Sequence, residues 1–198
     1  MTDLATLDWT KQGGLLPAIV QDADTRRVLM LGYMDSAAAQ ATLDTQRVSF
    51  FSRSRQRPWI KGETSGHVLA LVSLEADCDR DTLLVVARPA GPICHLGTRS
   101  CFPSAPADVL SELDLRIAER ARERPQGSYT TQLLEAGIRR VAQKVGEEGV
   151  ETALAAVAQD DAALLGEAAD LLYHLLVLLR ARGLSLRDAL AVLEARAM

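Results

Sequence analysis

Apolar positions in the first hundred residues fall into short runs separated by turn residues. The runs at 15–21, 27–34, 48–52, 68–74 and 82–88 are rich in Val, Ile, Leu or Phe and bounded by Gly, Pro, Asp or Ser, which predicts strands. Asp35 is placed to cap a helix over 36–43. After Phe102-Pro-Ser-Ala-Pro-Ala107 the period changes to that of helices, with segments at 107–122, 129–158, 160–182 and 185–197. Gly137 is a candidate interruption of the second segment. The pattern predicts two domains, 1–105 and 106–198: a β-rich α+β fold followed by an all-α bundle.

Composition supports folded cores. Of 198 residues, 48% are hydrophobic and 24% charged, which excludes a disordered or fibrous chain. The longest strongly apolar run, 168–179, is interrupted by Asp170 and His174 and predicts no membrane span. Asp3, Asp8, Asp22 and Asp24 stand where a secretory signal would be basic and then apolar, so a cytoplasmic protein is expected. A net charge of -4 gives no reason to bind nucleic acid. Both halves carry 11 basic residues, but acids number 11 up to residue 102 and 15 beyond it, so the excess of acid lies in the helical half.

Three cysteines, Cys78, Cys94 and Cys101, are an odd number for structural disulfides. Three thiolates would fill three corners of a tetrahedral zinc site and leave the fourth for water; three inert buried thiols are the alternative. Asp77-Cys-Asp-Arg-Asp81 alternates acids with other residues, so in an extended segment Asp77, Asp79 and Asp81 share a face and suit a hard ion such as magnesium. A charged turn is the competing explanation. An EF-hand is excluded, because Thr82 and Arg88 stand where that loop wants Gly and Glu.

The run Phe50-Phe-Ser-Arg-Ser-Arg-Gln-Arg-Pro-Trp-Ile-Lys-Gly-Glu-Thr-Ser-Gly66, with Asp77-Cys-Asp-Arg-Asp81 and Cys94-His-Leu-Gly-Thr-Arg-Ser-Cys101, resembles phosphoribosyl-AMP cyclohydrolase of histidine biosynthesis over residues 14–102. The resemblance implies zinc on Cys78, Cys94 and Cys101, with one thiol supplied across a dimer interface, and magnesium on Asp77, Asp79 and Asp81. It also implies that water adds at C6 of the adenine ring and the bond to N1 breaks. His95 is a candidate proton shuttle or a structural histidine. Arg53, Arg55 and Lys61 are candidates for the substrate phosphates or a solvated basic loop, and Trp59 for stacking on a base or anchoring the loop. At His67 the family pattern leads one to expect a small polar residue.

In the helical half, Glu147, Glu148 and Glu151 share a helix face, and the wheel aligns Glu147 and Glu151 with Leu154 and Ala158, predicting that they point inward. Glu167 and Asp170 are neighbours on the next helix. Burying these acids needs compensation, which a divalent metal supplies; a solvated face with Lys144 paired to Glu148 is the alternative. His174 is expected in the core or beside a ligand. Ser128-Tyr-Thr, the 142–153 segment and the 167–179 segment resemble phosphoribosyl-ATP pyrophosphohydrolase, of the all-α nucleotide pyrophosphohydrolase (MazG-like) type, over residues 110–196. That resemblance implies magnesium on Glu147, Glu148, Glu151, Glu167 and Asp170, and release of pyrophosphate.

Together the halves imply a bifunctional hydrolase acting on phosphoribosyl-ATP and then phosphoribosyl-AMP, as a homodimer sharing zinc ligands between subunits. The rivals are a house-cleaning pyrophosphohydrolase fused to a zinc deaminase, and a binding module with structural zinc.

Overall fold

The protein is described by a computed structural model covering residues 2–197. It divides into two compact units, one ending at Asp108 and the other starting at Val109.

The first unit contains β1 (Leu16–Asp22), β2 (Val28–Met34), α1 (Ser36–Thr45), β3 (Ser49–Ser52), β4 (Arg57–Ile60), β5 (Leu69–Ala76) and β6 (Leu83–Pro89). Four strands form a sheet in the order β2-β1-β6-β5; β1 runs antiparallel to β2 and parallel to β6, and β5 and β6 form an antiparallel hairpin. The alternation of β1 buries Leu16, Ala18 and Val20 on one face, which meets Leu83, Val85 and Ala87 of β6. The Asp35 carboxylate caps α1 by accepting from the Ala38 N–H at 2.7 Å. β3 and β4 form a separate hairpin, and β4 was not predicted as a strand. Phe50 of β3 lies fully buried under Gly32 of β2, where any Cβ would collide with its ring.

The second unit contains α2 (Val109–Glu123), α3 (Tyr129–Glu135), α4 (Ile138–Ala158), α5 (Asp161–Ala181) and α6 (Leu186–Ala197). Gly137, at φ 87°, breaks the segment expected over 129–158 into α3 and α4. α4 and α5 have 21 residues each, roughly 31 Å, and the two residues between them fold them back antiparallel. Asp160 caps α5 by accepting from the Ala163 N–H at 2.9 Å. Ile117, Leu133, Val141, Leu176 and Val177 form the core, closed by Arg180 donating to both Asp114 oxygens at 3.2 and 3.3 Å. By length and composition alone α5 has the apolarity of a bilayer-crossing helix, as the core helix of a helical bundle also can. Here it is the central helix of the bundle, packed against α4 and α2.

Candidate active sites

The β3–β4 hairpin and β2 border a cleft of about 900 Å³ in the first unit. Arg53, Arg55 and Trp59 line it, together with Tyr33 and Arg57, which the sequence did not single out. The Arg53 guanidinium sits over Tyr33, its carbon 3.7 Å from the ring centroid, so that a cation of the cleft lining is held by an aromatic face. Trp59 packs on Phe50 with centroids 5.3 Å apart, so it both anchors the hairpin and faces the cleft. Lys61 lies outside the lining; its charge offsets only a small part of the burial that raises the Cys101 thiol. His67 packs its imidazole against Gly91, where a Cβ would fall 2.6 Å from the ring.

Asp77, Asp79 and Asp81 converge, with an oxygen from each within 4.8 Å of the others. A tight turn does this rather than the alternation of an extended strand. Asp77 Oδ1 accepts from the N–H groups of Asp81 and Thr82 at 3.0 and 3.1 Å, and Arg80 takes the left-handed conformation at φ 61°. The Lys11 ammonium donates to Asp79 at 2.7 Å and reaches Asp81 at 2.6 Å. Those hydrogen bonds raise the lysine above its ordinary range and lower the Asp79 carboxyl.

The expected three-cysteine zinc centre is corrected by the side chains that do converge: among the described residues no set of thiols is placed to hold a metal ion. Cys78 sits in the turn between β5 and β6, whereas Cys94 and Cys101 follow β6, whose seven residues span about 23 Å at roughly 3.3 Å each. Cys94 and Cys101 are neighbours: backbone and Thr98 hydrogen bonds lower the Cys94 thiol, while burial, and then the charge of Cys94, raise Cys101. His95 is exposed beside them, its Nδ1 3.8 Å from Cys94 Sγ. Among the described residues, the groups able to hold a metal ion are carboxylate sets, Asp77/Asp79/Asp81 and Glu148/Glu151/Glu167, and not the three thiols.

In the second unit Glu148 and Glu151 of α4 meet Glu167 of α5. The inward acid is Glu148, 5% exposed, on a stripe with Val141 and Ala155, whereas Glu151 and Leu154 are exposed. The wheel therefore chose the wrong face. Lys144 donates to Glu147 at 2.9 Å and pairs with Glu148 at 2.7 Å. The Lys144 hydrogen bond is the main reason the Glu147 carboxyl is lowered. Asp170 lies one turn beyond Glu167, outside the three-membered set, and its backbone carbonyl accepts from His174 Nδ1 at 2.9 Å. With Nδ1 so used, the Nε2 of buried His174 accepts from the Tyr129 hydroxyl at 3.2 Å. The imidazole is thus held between α3 and α5, 3.6 Å from Glu148. Two facing helices with acids at one turn's spacing present oxygen donors suited to a hard divalent ion.

Residues 30–103 match the family model for phosphoribosyl-AMP cyclohydrolase, and residues 110–197 match that for phosphoribosyl-ATP pyrophosphohydrolase. The histidine biosynthesis bifunctional protein HisIE of Xanthomonas axonopodis pv. citri is 70% identical over 193 residues, covering 98% of this chain and 94% of that protein. The chain belongs to the HisIE family. Other HisIE proteins retain the similarity at greater distance. That of Salmonella typhimurium is 54% identical, over 96% of this chain and 95% of its own, and that of Vibrio cholerae 53% identical, over 96% and 93%. Each carboxylate set therefore falls within a different one of the two matched enzyme segments.

Proposed function

We propose how this HisIE-family enzyme divides two consecutive hydrolyses between its units. The chain hydrolyses phosphoribosyl-ATP to phosphoribosyl-AMP and pyrophosphate, then opens the purine ring of that product. The observation that carries the division is the meeting of Glu148, Glu151 and Glu167 from two helices of the acidic unit. A triphosphate approaching unscreened carboxylates is repelled, so a divalent cation belongs between them. Glu148, Glu151 and Glu167 would hold it, with Glu147 and Asp170 at the edge of the set. Bound there, such an ion supplies charge stabilisation to phosphoryl oxygens and a more acidic water.

In the first unit, Arg53 and Arg55 bind the phosphates of phosphoribosyl-AMP at the cleft rim and Trp59 offers its ring to the base. Lys61 adds positive charge nearby. Asp77, Asp79 and Asp81 offer oxygen donors to a second divalent cation. Ring opening adds a water oxygen to C6, breaks C6–N1 and delivers a proton to N1; His95, exposed beside Cys94, is positioned to carry that proton.

The active species is a homodimer built on the helical unit. Val150, Leu154 and Val157 of α4, and Leu165, Leu172 and Leu175 of α5, are 40 to 82% exposed. Only 17% of the most apolar stretch of α5 is buried within the chain. A second copy covers such a surface. Three free cysteines accord with a reducing cytoplasm.

Incubation with phosphoribosyl-ATP, following pyrophosphate and purine absorbance together, tests the assignment. Pyrophosphate should appear first and the absorbance change should follow without ammonia. Release of ammonia, or ring opening without pyrophosphate, would contradict it.

A further inference from the structure

The chain holds three lysines, Lys11, Lys61 and Lys144, against nineteen arginines. Two of the three stand against the two carboxylate sets, Lys11 on two of the aspartates and Lys144 on Glu148 and on Glu147 at the edge of its set. Lys11 Nζ lies 2.7 Å from Asp79 and 2.6 Å from Asp81, and Lys144 Nζ lies 2.9 Å from Glu147 and 2.7 Å from Glu148. Each ammonium touches two carboxylates at once, as a small cation would. One set lies in a β-hairpin turn and the other between two helices, so no shared local structure explains the coincidence.

Lys11 is brought there from 68 residues away. The Asp8 N–H donates to the Arg80 carbonyl at 2.8 Å and fastens the N-terminal segment to the aspartate turn. Asp8 Oδ1 then accepts from the Thr10 hydroxyl at 2.7 Å and the Lys11 N–H at 3.1 Å, fixing the backbone from which the lysine reaches. At Lys144 the helix does the same work, with Glu147 and Glu148 three and four residues on.

The choice of lysine matters in a chain so rich in arginine. A guanidinium grips carboxylates through a rigid fork, whereas an ammonium is a compact point charge on a flexible stem that can leave by rotation alone. We propose that Lys11 and Lys144 are exchangeable counter-ions: each offsets part of the charge of its carboxylate set until a divalent cation takes the oxygens, and then swings its ammonium away into solvent. Three carboxylates with one ammonium keep a net charge of minus two, so the set still attracts a divalent ion. An ion bound there would use lone pairs the ammonium held and would repel it. Both lysines have an exit, their side chains being 47% and 19% exposed. The exchange lets the acids sit together without metal and makes metal binding weaker and more readily reversed than the acids alone would give.

The inference rests on the divalent-cation reading of the two sets. Its test is amine labelling of the full chain by reductive methylation, read by mass spectrometry across a Mn2+ titration, with bound Mn2+ counted by electron paramagnetic resonance in the same samples. Labelling of Lys11 and Lys144 should rise about fivefold or more in step with bound Mn2+ while Lys61 stays constant. Lys11→Met should bind Mn2+ several-fold more tightly at the aspartate set, and Lys11→Arg more weakly than the natural chain. Flat labelling of Lys11 and Lys144 while Mn2+ binds would overturn the exchange and leave the metal reading standing. Absence of bound Mn2+, or a count unchanged by Asp79→Asn and Glu148→Gln, would overturn both.

Discussion

Glu148→Gln separates the chemistry of the helical unit from its folding. Glu148 is 5% exposed and accepts from Lys144 at 2.7 Å. Glutamine keeps the shape and one acceptor oxygen, and Lys144 retains Glu147 at 2.9 Å. The loss is therefore the difference between a charge-assisted and a neutral hydrogen bond, about 1 kcal/mol. In a unit of roughly 90 residues that lowers Tm by about 4–8 °C. The effect on chemistry is larger. Removing one preorganised charged group from a phosphoryl-transfer site costs roughly 10²–10³ in kcat. Pyrophosphate release from phosphoribosyl-ATP, measured with a coupled phosphate assay, should fall by that factor, while ring opening of supplied phosphoribosyl-AMP should hold its rate. Unchanged pyrophosphate release would refute the role of Glu148, and parallel loss of both activities would refute the division between units.

Tyr33→Leu removes the ring beneath Arg53, worth about 0.5–1 kcal/mol at an exposed site, so KM for phosphoribosyl-AMP should rise about 2–5-fold with kcat little changed. Tyr33→Phe should keep the natural KM; equal losses in both variants would remove the stacking role. Leu154→Glu or Leu172→Glu should convert a dimer into a 21.4 kDa monomer by analytical ultracentrifugation, and a persisting dimer would place the interface elsewhere. The Glu147 carboxyl is lowered by its Lys144 hydrogen bond, so its stabilising contribution is complete above its ordinary value of 4.5 and is lost as pH falls through the lowered folded value. The gap in urea midpoint between the natural chain and Glu147→Gln should be constant at neutral pH and shrink in acid; a gap that widened in acid would reverse the sign.

What the sequence revealed and concealed follows from the kind of information each residue carries. Alternation in β1 and the Asp35 cap are local, and the strand and the helix form where these residues predict them. β4 escaped notice because Arg57 and Pro58 are exposed and the strand is four residues long. Choosing the inward face of α4 failed for a different reason. Leu154 is apolar yet 54% exposed, and a wheel cannot distinguish a stripe facing the chain's own core from one facing another copy. Buried Glu148 instead shares its stripe with Val141 and Ala155. Cysteine spacing carried no distance across a strand, so the separation imposed by β6 was invisible. The Lys11 contacts had no local signal either, being made across 68 residues.

Complementation between two disabled chains tests the central claim most directly. Asp79→Asn should release pyrophosphate from phosphoribosyl-ATP and accumulate phosphoribosyl-AMP, Glu148→Gln should process that substrate roughly 10²–10³-fold more slowly, and an equal mixture should restore ring opening. Loss of pyrophosphate release in Asp79→Asn, or a mixture that stays inactive while each chain remains folded, would contradict two hydrolyses run in sequence by separate carboxylate sets.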